Sequence, residues 1–297
     1  MAGRPRSRTE SERANRVETL TPDDLSQLRL SFWTRFDETS LADMLAVYPG
    51  RSVWMPETSE YAFVLPWRHR PEIAAIGELS AIRNPRPLVE AAERNAAAHG
   101  AHLLLMVEVE ESRRPSFYER IGFQLLEEVV TYELAKIPDL SGAGQLKFTR
   151  ADVASAVDLA ELIFVDDASF PWVWRNSPAE FVEYSDAPGV ELFIGRLEGR
   201  PVAYFGITSY LGWGHIDRVG IIPAQQGRGL GSEAVRFALR RLATSGAKKI
   251  GLSTQRSNIA AQRLYERFGF RRAVTNDYRL YGKVLSLPNG VRDLFSV

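Results

Sequence analysis

Cysteine is absent from the 297 residues, which removes disulfides, thiolate nucleophiles and thiolate metal sites together. Histidine is scarce, with four residues at positions 69, 99, 102 and 215. Only His99 and His102 approach a ligand spacing, and Gly100 lies between them, so no metal site is expected. Charge of one sign is missing too. Lysine plus arginine and aspartate plus glutamate number 37 each, leaving no overall field to draw the chain to nucleic acid or to an acidic membrane. No apolar run reaches the roughly 20 residues that a membrane span requires, and the first residues lack the apolar core of a secretory signal. The expected location is the cytoplasm.

What is present is a chain long enough for two ordinary domains, with a globular share of apolar residues. Residues 1–16 are arginine, serine, glutamate and proline with almost no apolar content, and a disordered tail is expected there. From Val17 the pattern predicts a short strand, a Thr-Pro-Asp turn, a helix from Asp23 to about Phe36, and strands around Ser52–Met55, Tyr61–Trp67 and Ile73–Leu79. A helix over Pro87–Ala98, closed by Gly100, and an apolar strand over His102–Val109 follow. The second half opens with a strand at Leu146–Thr149 and a helix that Asp152 is placed to cap. A tryptophan-rich loop and a short helix from Pro178 come next. Two strands are joined at Glu198-Gly199, and a third runs through Ile216–Ile221. A long helix to Gly246, a strand over Lys249–Thr254, a helix over Ile259–Phe268 and final strands complete the chain.

The two halves repeat. Phe117-Tyr118-Glu119-Arg120-Ile121-Gly122-Phe123 matches Leu264-Tyr265-Glu266-Arg267-Phe268-Gly269-Phe270, and each copy follows a helix ending in glycine and then an apolar strand. Two α/β domains of one fold in tandem are expected, over residues 17–138 and 146–297, joined by a linker at 139–145, where Pro138 and the Gly and Ser residues after it cluster.

The most informative stretch is Ile216-Asp217-Arg218-Val219-Gly220-Ile221-Ile222-Pro223-Ala224-Gln225-Gln226-Gly227-Arg228-Gly229-Leu230-Gly231-Ser232. An apolar strand stops at a proline and empties into a glycine-rich helix start. Without Cβ atoms the backbone can bring several N–H groups to one ligand, and a helix N-terminus favours an anion. A Walker loop is excluded, because no lysine lies between Lys147 and Lys248. The dinucleotide fingerprint fails because Ser232 stands where its third glycine belongs. Gln226-Gly227-Arg228-Gly229-Leu230-Gly231 resembles the Q/R-x-x-G-x-G/A acetyl-CoA signature of the GNAT N-acetyltransferase superfamily. The block from Asn258 through Tyr265 to Gly269 and Phe270 resembles the superfamily's N-x-x-A-x-x-x-Y-x-x-x-G-F pattern.

That resemblance implies tandem GNAT-like domains, each with a mostly antiparallel sheet flanked by helices and a splayed central strand pair. It implies acetyl-CoA as co-substrate and a small-molecule or peptide amine as acceptor. It places the pyrophosphate on Gln226, Gly227, Arg228, Gly229, Leu230, Gly231 and Ser232, and the pantetheine arm on Val219, Gly220 and Ile221, with Asn258 as a further cofactor contact and a strand bulge expected at Gly220. Tyr265 becomes the general acid. A phenol, with an ordinary pKa near 10, is protonated at neutral pH and can supply the departing thiolate. Asp217 and His215, two apart and expected on the strand face of Val219, are the candidate bases, because the glutamate position of the next strand holds Ser253. The acceptor pocket is expected from Asp166, Asp167, Phe170, Trp172, Trp174, Tyr210 and Trp213, where rings and carboxylates would suit a cation. In the first half, the counterpart of the glycine loop is Ile82-Arg83-Asn84-Pro85-Arg86-Pro87, whose prolines lack N–H groups, so one active site per chain is expected. A non-catalytic acyl-CoA-binding or interaction module, or a nucleotide-binding domain, are the rival readings.

Overall fold

The computed structural model describes residues 16–32, 34–81, 85–108, 115–142, 144–288 and 294. Residues 1–15 of the expected tail, and Ile82, Arg83 and Asn84 of the proline-bearing loop, lie outside them. In chain order the regular elements are β1 (Glu18–Thr19), α1 (Glu38–Val47), β2 (Val53–Met55), β3 (Glu60–Trp67), β4 (Arg70–Ser80), α2 (Arg86–Ala98), β5 (Leu103–Val107), α3 (Pro115–Arg120) and β6 (Gln124–Leu134). They continue with β7 (Lys147–Arg150), α4 (Ala156–Ser169), α5 (Pro178–Asp186), β8 (Val190–Leu197), β9 (Arg200–Tyr210), β10 (Trp213–Ile221) and α6 (Leu230–Thr244). Last come β11 (Lys249–Gln255), α7 (Ile259–Arg267), β12 (Arg271–Arg272) and β13 (Tyr278–Val284).

Two compact units result. The first runs to Leu126 and takes in Leu280–Pro288; the second is Glu127–Arg279 with Leu294. The chain is therefore divided twice. Most of β6, which precedes the linker, pairs antiparallel with β11 of the second unit, while β13, near the end, pairs antiparallel with β5 of the first. The first unit orders its strands β1-β2-β3-β4-β5-β13 and the second β6-β11-β10-β9-β8-β7, with β4–β5 and β10–β11 parallel. Each unit is thus an α/β fold on a mostly antiparallel mixed sheet.

In the second unit the sheet is covered on both faces. Helix α6 buries Leu230, Ala234, Val235, Ala238, Leu239 and Leu242, a stripe at helical spacing that meets Ile216, Ile250 and Leu252 of the central strands. On the other face Leu162 and Val165 of α4 and Phe181 of α5 pack on Leu192, Ile194 and Tyr204. The first unit has the same two-faced arrangement, α2 against Ala74, Leu104 and Met106, and α1 against Tyr61 and Phe63.

Two helix starts differ from expectation. Asp23–Phe36 holds a single 3-10 turn at Pro22–Asp24, and the α-helix begins at Glu38, where the Asp37 carboxylate accepts from the Ser40 N–H at 2.7 Å. The apolar residues of the expected helix, Leu25, Leu28, Leu30 and Phe36, reach the α1 core from irregular backbone. In α4 the cap is Ser155, which accepts from Asp158, whereas Asp152 closes a turn on Ala154.

Candidate active site

The central parallel pair of the second unit opens partway along. Residues Trp213–Ile216 of β10 pair with Lys249–Leu252 of β11, and no rung joins the two strands beyond that. The cause lies on the other side of β10, where the register with β9 slips between Ile216 and Arg218. Asp217 is the extra residue of a β-bulge, which adds twist and bends its strand. The expected bulge at Gly220 is thereby corrected. Gly220 sits in register opposite Tyr204, and a Cβ there would come within 2.9 Å of the Tyr204 ring and 3.2 Å of Phe170, so glycine is required by close packing. The bulge also divides faces. Ile216 and Val219 join the α6 core, while Asp217 turns to α5 through the Tyr184 hydroxyl, so the expected shared face of Asp217 and Val219 is not found.

A cavity of about 750 Å³ fills the opening. Val219 and Ile221 line it from β10 and Gln255 from β11. Ser257, Asn258, Ala261, Arg263, Leu264, Tyr265 and Arg267 contribute from the α7 side, Ser169, Phe170 and Pro171 from the end of α4, and Glu127 from β6. Its polar end is the glycine loop, with Gln226, Gly227, Gly229, Gly231 and Ser232 on the wall. Gly227 and Gly229 are left-handed, at φ 75° and 84°, with open space where a side chain would stand. The backbone N–H groups of residues 227–231 have no acceptor among the described residues. They stand at the start of α6, whose dipole adds to their pull on an anion. The loop is held to its strand by Gln226 Nε2, which donates to the Ile221 carbonyl at 2.9 Å.

Tyr265 lines the same cavity from α7 and is 7% exposed. Its ring lies between Tyr132 and Phe270, at centroid distances of 6.4 and 6.0 Å. Its hydroxyl has no protein partner among the described residues. Burial pushes the phenol up to about 12, so it stays protonated well above neutrality. Its counterpart Tyr118 is stacked on Tyr281 at 3.9 Å and 1% exposed, a ring used in packing. Asn258 caps α7 by accepting from the Ala261 N–H through Oδ1 at 3.0 Å, which leaves its amide N–H groups for a ligand.

The face toward α4 and α5 holds two polar clusters. Asp217 Oδ2 accepts from Thr208 at 2.8 Å and from Tyr184, and Oδ1 meets His215 Nδ1 at 2.7 Å. Burial first, and the Asp217 charge second, raise the Tyr184 hydroxyl far above its ordinary value, fixing it as a donor. Against a carboxylate His215 presents Nδ1–H, which leaves Nε2 outside that contact. The His215 ring lies over Gly251, where a Cβ would approach Cδ2 to 3.0 Å. Gly251→Ala is therefore expected to displace the imidazole, seen as a changed His215 ring resonance in NMR with the fold retained.

The second cluster is more enclosed, with Asp166 and Tyr204 wholly buried and the Arg218 side chain 11% exposed. Asp166 accepts from the Arg218 guanidinium at 2.7 Å, the Asn176 N–H at 2.7 Å and the Tyr204 hydroxyl. Arg218 also bonds the Trp174 carbonyl at 2.8 Å and lies 3.9 Å over the Phe170 ring, one of the cavity walls.

The residues read from the sequence therefore fall into groups. The cavity gathers Val219, Ile221, Gln226, Gly227, Gly229, Gly231, Ser232, Asn258 and Tyr265. Outside its lining, Leu230 buries its side chain in the α6 core and Arg228 bonds Gln225. Asp217 and His215 pair with each other and are not among its lining residues. Of the expected acceptor residues, Asp166 is enclosed with Arg218, Trp172 and Trp174 are buried, Asp167 is exposed on α4, and Tyr210 is 65% exposed at a hairpin tip. Of the expected set Phe170 lines the cavity, together with its neighbours Ser169 and Pro171. Arg263 and Arg267 were legible only as an i, i+4 pair on α7. Glu127 carries no local signal, since its strand reaches the site from before the linker.

Residues 159–270 match the Acetyltransferase (GNAT) family, and this segment is a GNAT domain. The chain is 43% identical over 130 residues to the mycothiol acetyltransferase of Mycobacteroides abscessus, covering 40% of this chain and 44% of that protein. It is 30% identical over 133 residues to that of Gordonia bronchialis, covering 40% and 42%. The matched part thus spans less than half the length of these curated relatives. A solved tandem GNAT protein from the clavulanic acid biosynthesis pathway superposes with a TM-score of 0.52 at 13% identity, over 92% of this chain and 99% of that one. That likeness establishes a tandem GNAT fold. No described helix is long and apolar enough to cross a membrane.

Proposed function

We propose that the second unit binds acetyl-CoA in the opening between β10 and β11 and transfers its acetyl group directly to an amine of a small molecule or peptide. The observation that carries this reading is one cavity with unpartnered loop N–H groups at one end and the partnerless Tyr265 hydroxyl in its wall. The pyrophosphate would take the N–H groups of residues 227–231, with Arg263 and Arg267 as further cations. The pantetheine arm would run along Val219 and Ile221, whose backbone has lost its β11 partner. The amine nitrogen attacks the thioester carbonyl, the carbon–sulfur bond breaks, and the CoA thiolate takes the proton of Tyr265. The amine, arriving as an ammonium, gives its first proton to His215 Nε2 before attack, directly or through water, with Asp217 orienting the ring and stabilising the imidazolium; the second, shed as the amide forms, restores the Tyr265 phenol.

Purified protein, acetyl-CoA and a panel of primary amines, followed by free-thiol release and mass of the product, test the proposal. Acetylated amine in step with thiol is the expected result. Acetyl-CoA bound without turnover of any amine would leave the binding-module reading, and NAD or ATP bound in preference to CoA would overturn the cofactor assignment. Gly229→Val should weaken acetyl-CoA binding at least tenfold by calorimetry, because a β-branched residue resists the left-handed conformation and its side chain would enter the cradle. The pH profile has a definite sign. With Tyr265 raised from 10 to about 12, kcat should show no alkaline fall from loss of this proton until the pH approaches the upper value. A Tyr265-dependent fall centred near pH 8 would remove it as the acid.

A further inference from the structure

Glu127 and Glu128 are adjacent on β6 and have opposite fates. Glu128 is spent on ion pairs, with Arg256 at 2.7 Å and Arg279 at 3.2 Å. Glu127 has no cationic partner among the described residues, although it is partly buried and lines the cavity. Strand alternation gives the side. Val130, Tyr132 and Leu134 point into the α6 core, so Glu127, odd in the same strand, belongs to the opposite face, that of α4 and α5. The register agrees: Val129 lies opposite Gln255, the last residue of β11, which puts Glu127 at the mouth of the opening with Ser257, another residue of the cavity lining.

The cavity lining has two arginines and a cradle of N–H groups, but a single acidic residue among those described, Glu127. Burial raises its carboxyl above the ordinary range, the Glu128 charge adding a little, and the backbone and Ser257 hydrogen bonds oppose the rise. An acid in a cleft built for an anionic ligand is a liability unless a cation meets it there, since an unpaired, partly desolvated charge costs free energy. The polyanionic donor cannot supply that cation. The acceptor can, because an alkyl amine with an ordinary pKa near 10 arrives as an ammonium.

The geometry points to Glu127 as the seat of the acceptor's positive charge: a specificity-determining carboxylate that enters from the face opposite α7 and selects a cationic amine. This rests on the acetyl-transfer reading above. It also gives β6, a strand from before the linker, a part in the second unit's chemistry.

The test uses the full chain, acetyl-CoA, and the amine of the panel with the highest kcat/KM. Glu127→Gln should raise KM for that amine roughly tenfold or more, the loss of one charge-assisted contact, with kcat changed less and the dissociation constant for acetyl-CoA within about twofold. Glu127→Asp should recover part of the loss. The Gln variant should also narrow the preference for 1,4-diaminobutane over 1-aminobutane if both are turned over. Loss of acetyl-CoA affinity, or unchanged KM in Glu127→Gln, overturns the assignment while leaving acetyl transfer intact. A wild-type protein that binds acetyl-CoA yet acetylates no amine overturns both, and that result is read on the unmodified chain.

Discussion

Tyr265→Phe is expected to lower kcat by about a hundredfold to ten-thousandfold, the range that a positioned general acid supplies, with KM for acetyl-CoA little changed and the midpoint of urea unfolding unmoved. The separation of activity from stability follows from the local geometry. The phenylalanine ring keeps the packing against Phe270 and Tyr132, and the hydroxyl that is removed bonds no described protein group. No buried partner is left unsatisfied, so the usual penalty for deleting one side of a hydrogen bond is absent. Steady-state kinetics with acetyl-CoA and a turned-over amine, together with a denaturation curve, check both halves. Unchanged kcat would mean that the thiolate leaves without this proton and that the tyrosine persists for packing, as Tyr118 does on Tyr281.

Asp166→Asn should have the largest effect on stability, about 3–5 kcal/mol lost in urea unfolding, the cost of leaving one member of a buried ion pair without its partner. Asp166 is wholly enclosed, and its carboxylate neutralises Arg218 while accepting from Tyr204 and the Asn176 backbone. The isosteric amide keeps the volume and removes the charge, so the guanidinium stays buried and uncompensated. Asp166→Leu combined with Arg218→Met should cost less than Asp166→Asn alone, because neither charge then remains. A double variant that costs the sum of the single ones would show that the two residues act independently. A second consequence reaches the cavity: Arg218 lies over Phe170, so the weakened pair should also loosen the wall against which the acceptor is proposed to lie.

The sequence made the site legible where chemistry is local. A strand, a proline, a glycine loop and an amphipathic helix are consecutive, and each restricts the backbone by itself, so the β10–α6 segment and the Asn258–Phe270 block could be read directly. What failed was set by tertiary context. Leu25, Leu28 and Phe36 are spaced as on a helix, but packing against α1 takes them in irregular form. The bulge fell at Asp217 because that carboxylate bonds Tyr184 and Thr208, side chains distant in sequence, whereas Gly220 is glycine to admit Tyr204. Asp166 and the tryptophans read as a pocket for a cationic acceptor, and Asp166 instead serves a cation of the protein itself. Glu127 was invisible because nothing near it in sequence shares its neighbours.

The exchange of β6 and β13 sets a rule for dissecting the gene. Cutting at the linker, which composition marks as the place to divide the protein, would give a C-terminal fragment from Leu146 with the β11 edge bare along Ile250–Gln255, the stretch that β6 covers. The N-terminal fragment would leave β5 without β13. Uncovered apolar edges recruit other strands, so each half made alone should aggregate, while both halves made together can trade strands and complement one another. Deletion, domain shuffling and recombination at this point are thereby penalised, and the two halves are bound to be inherited as one.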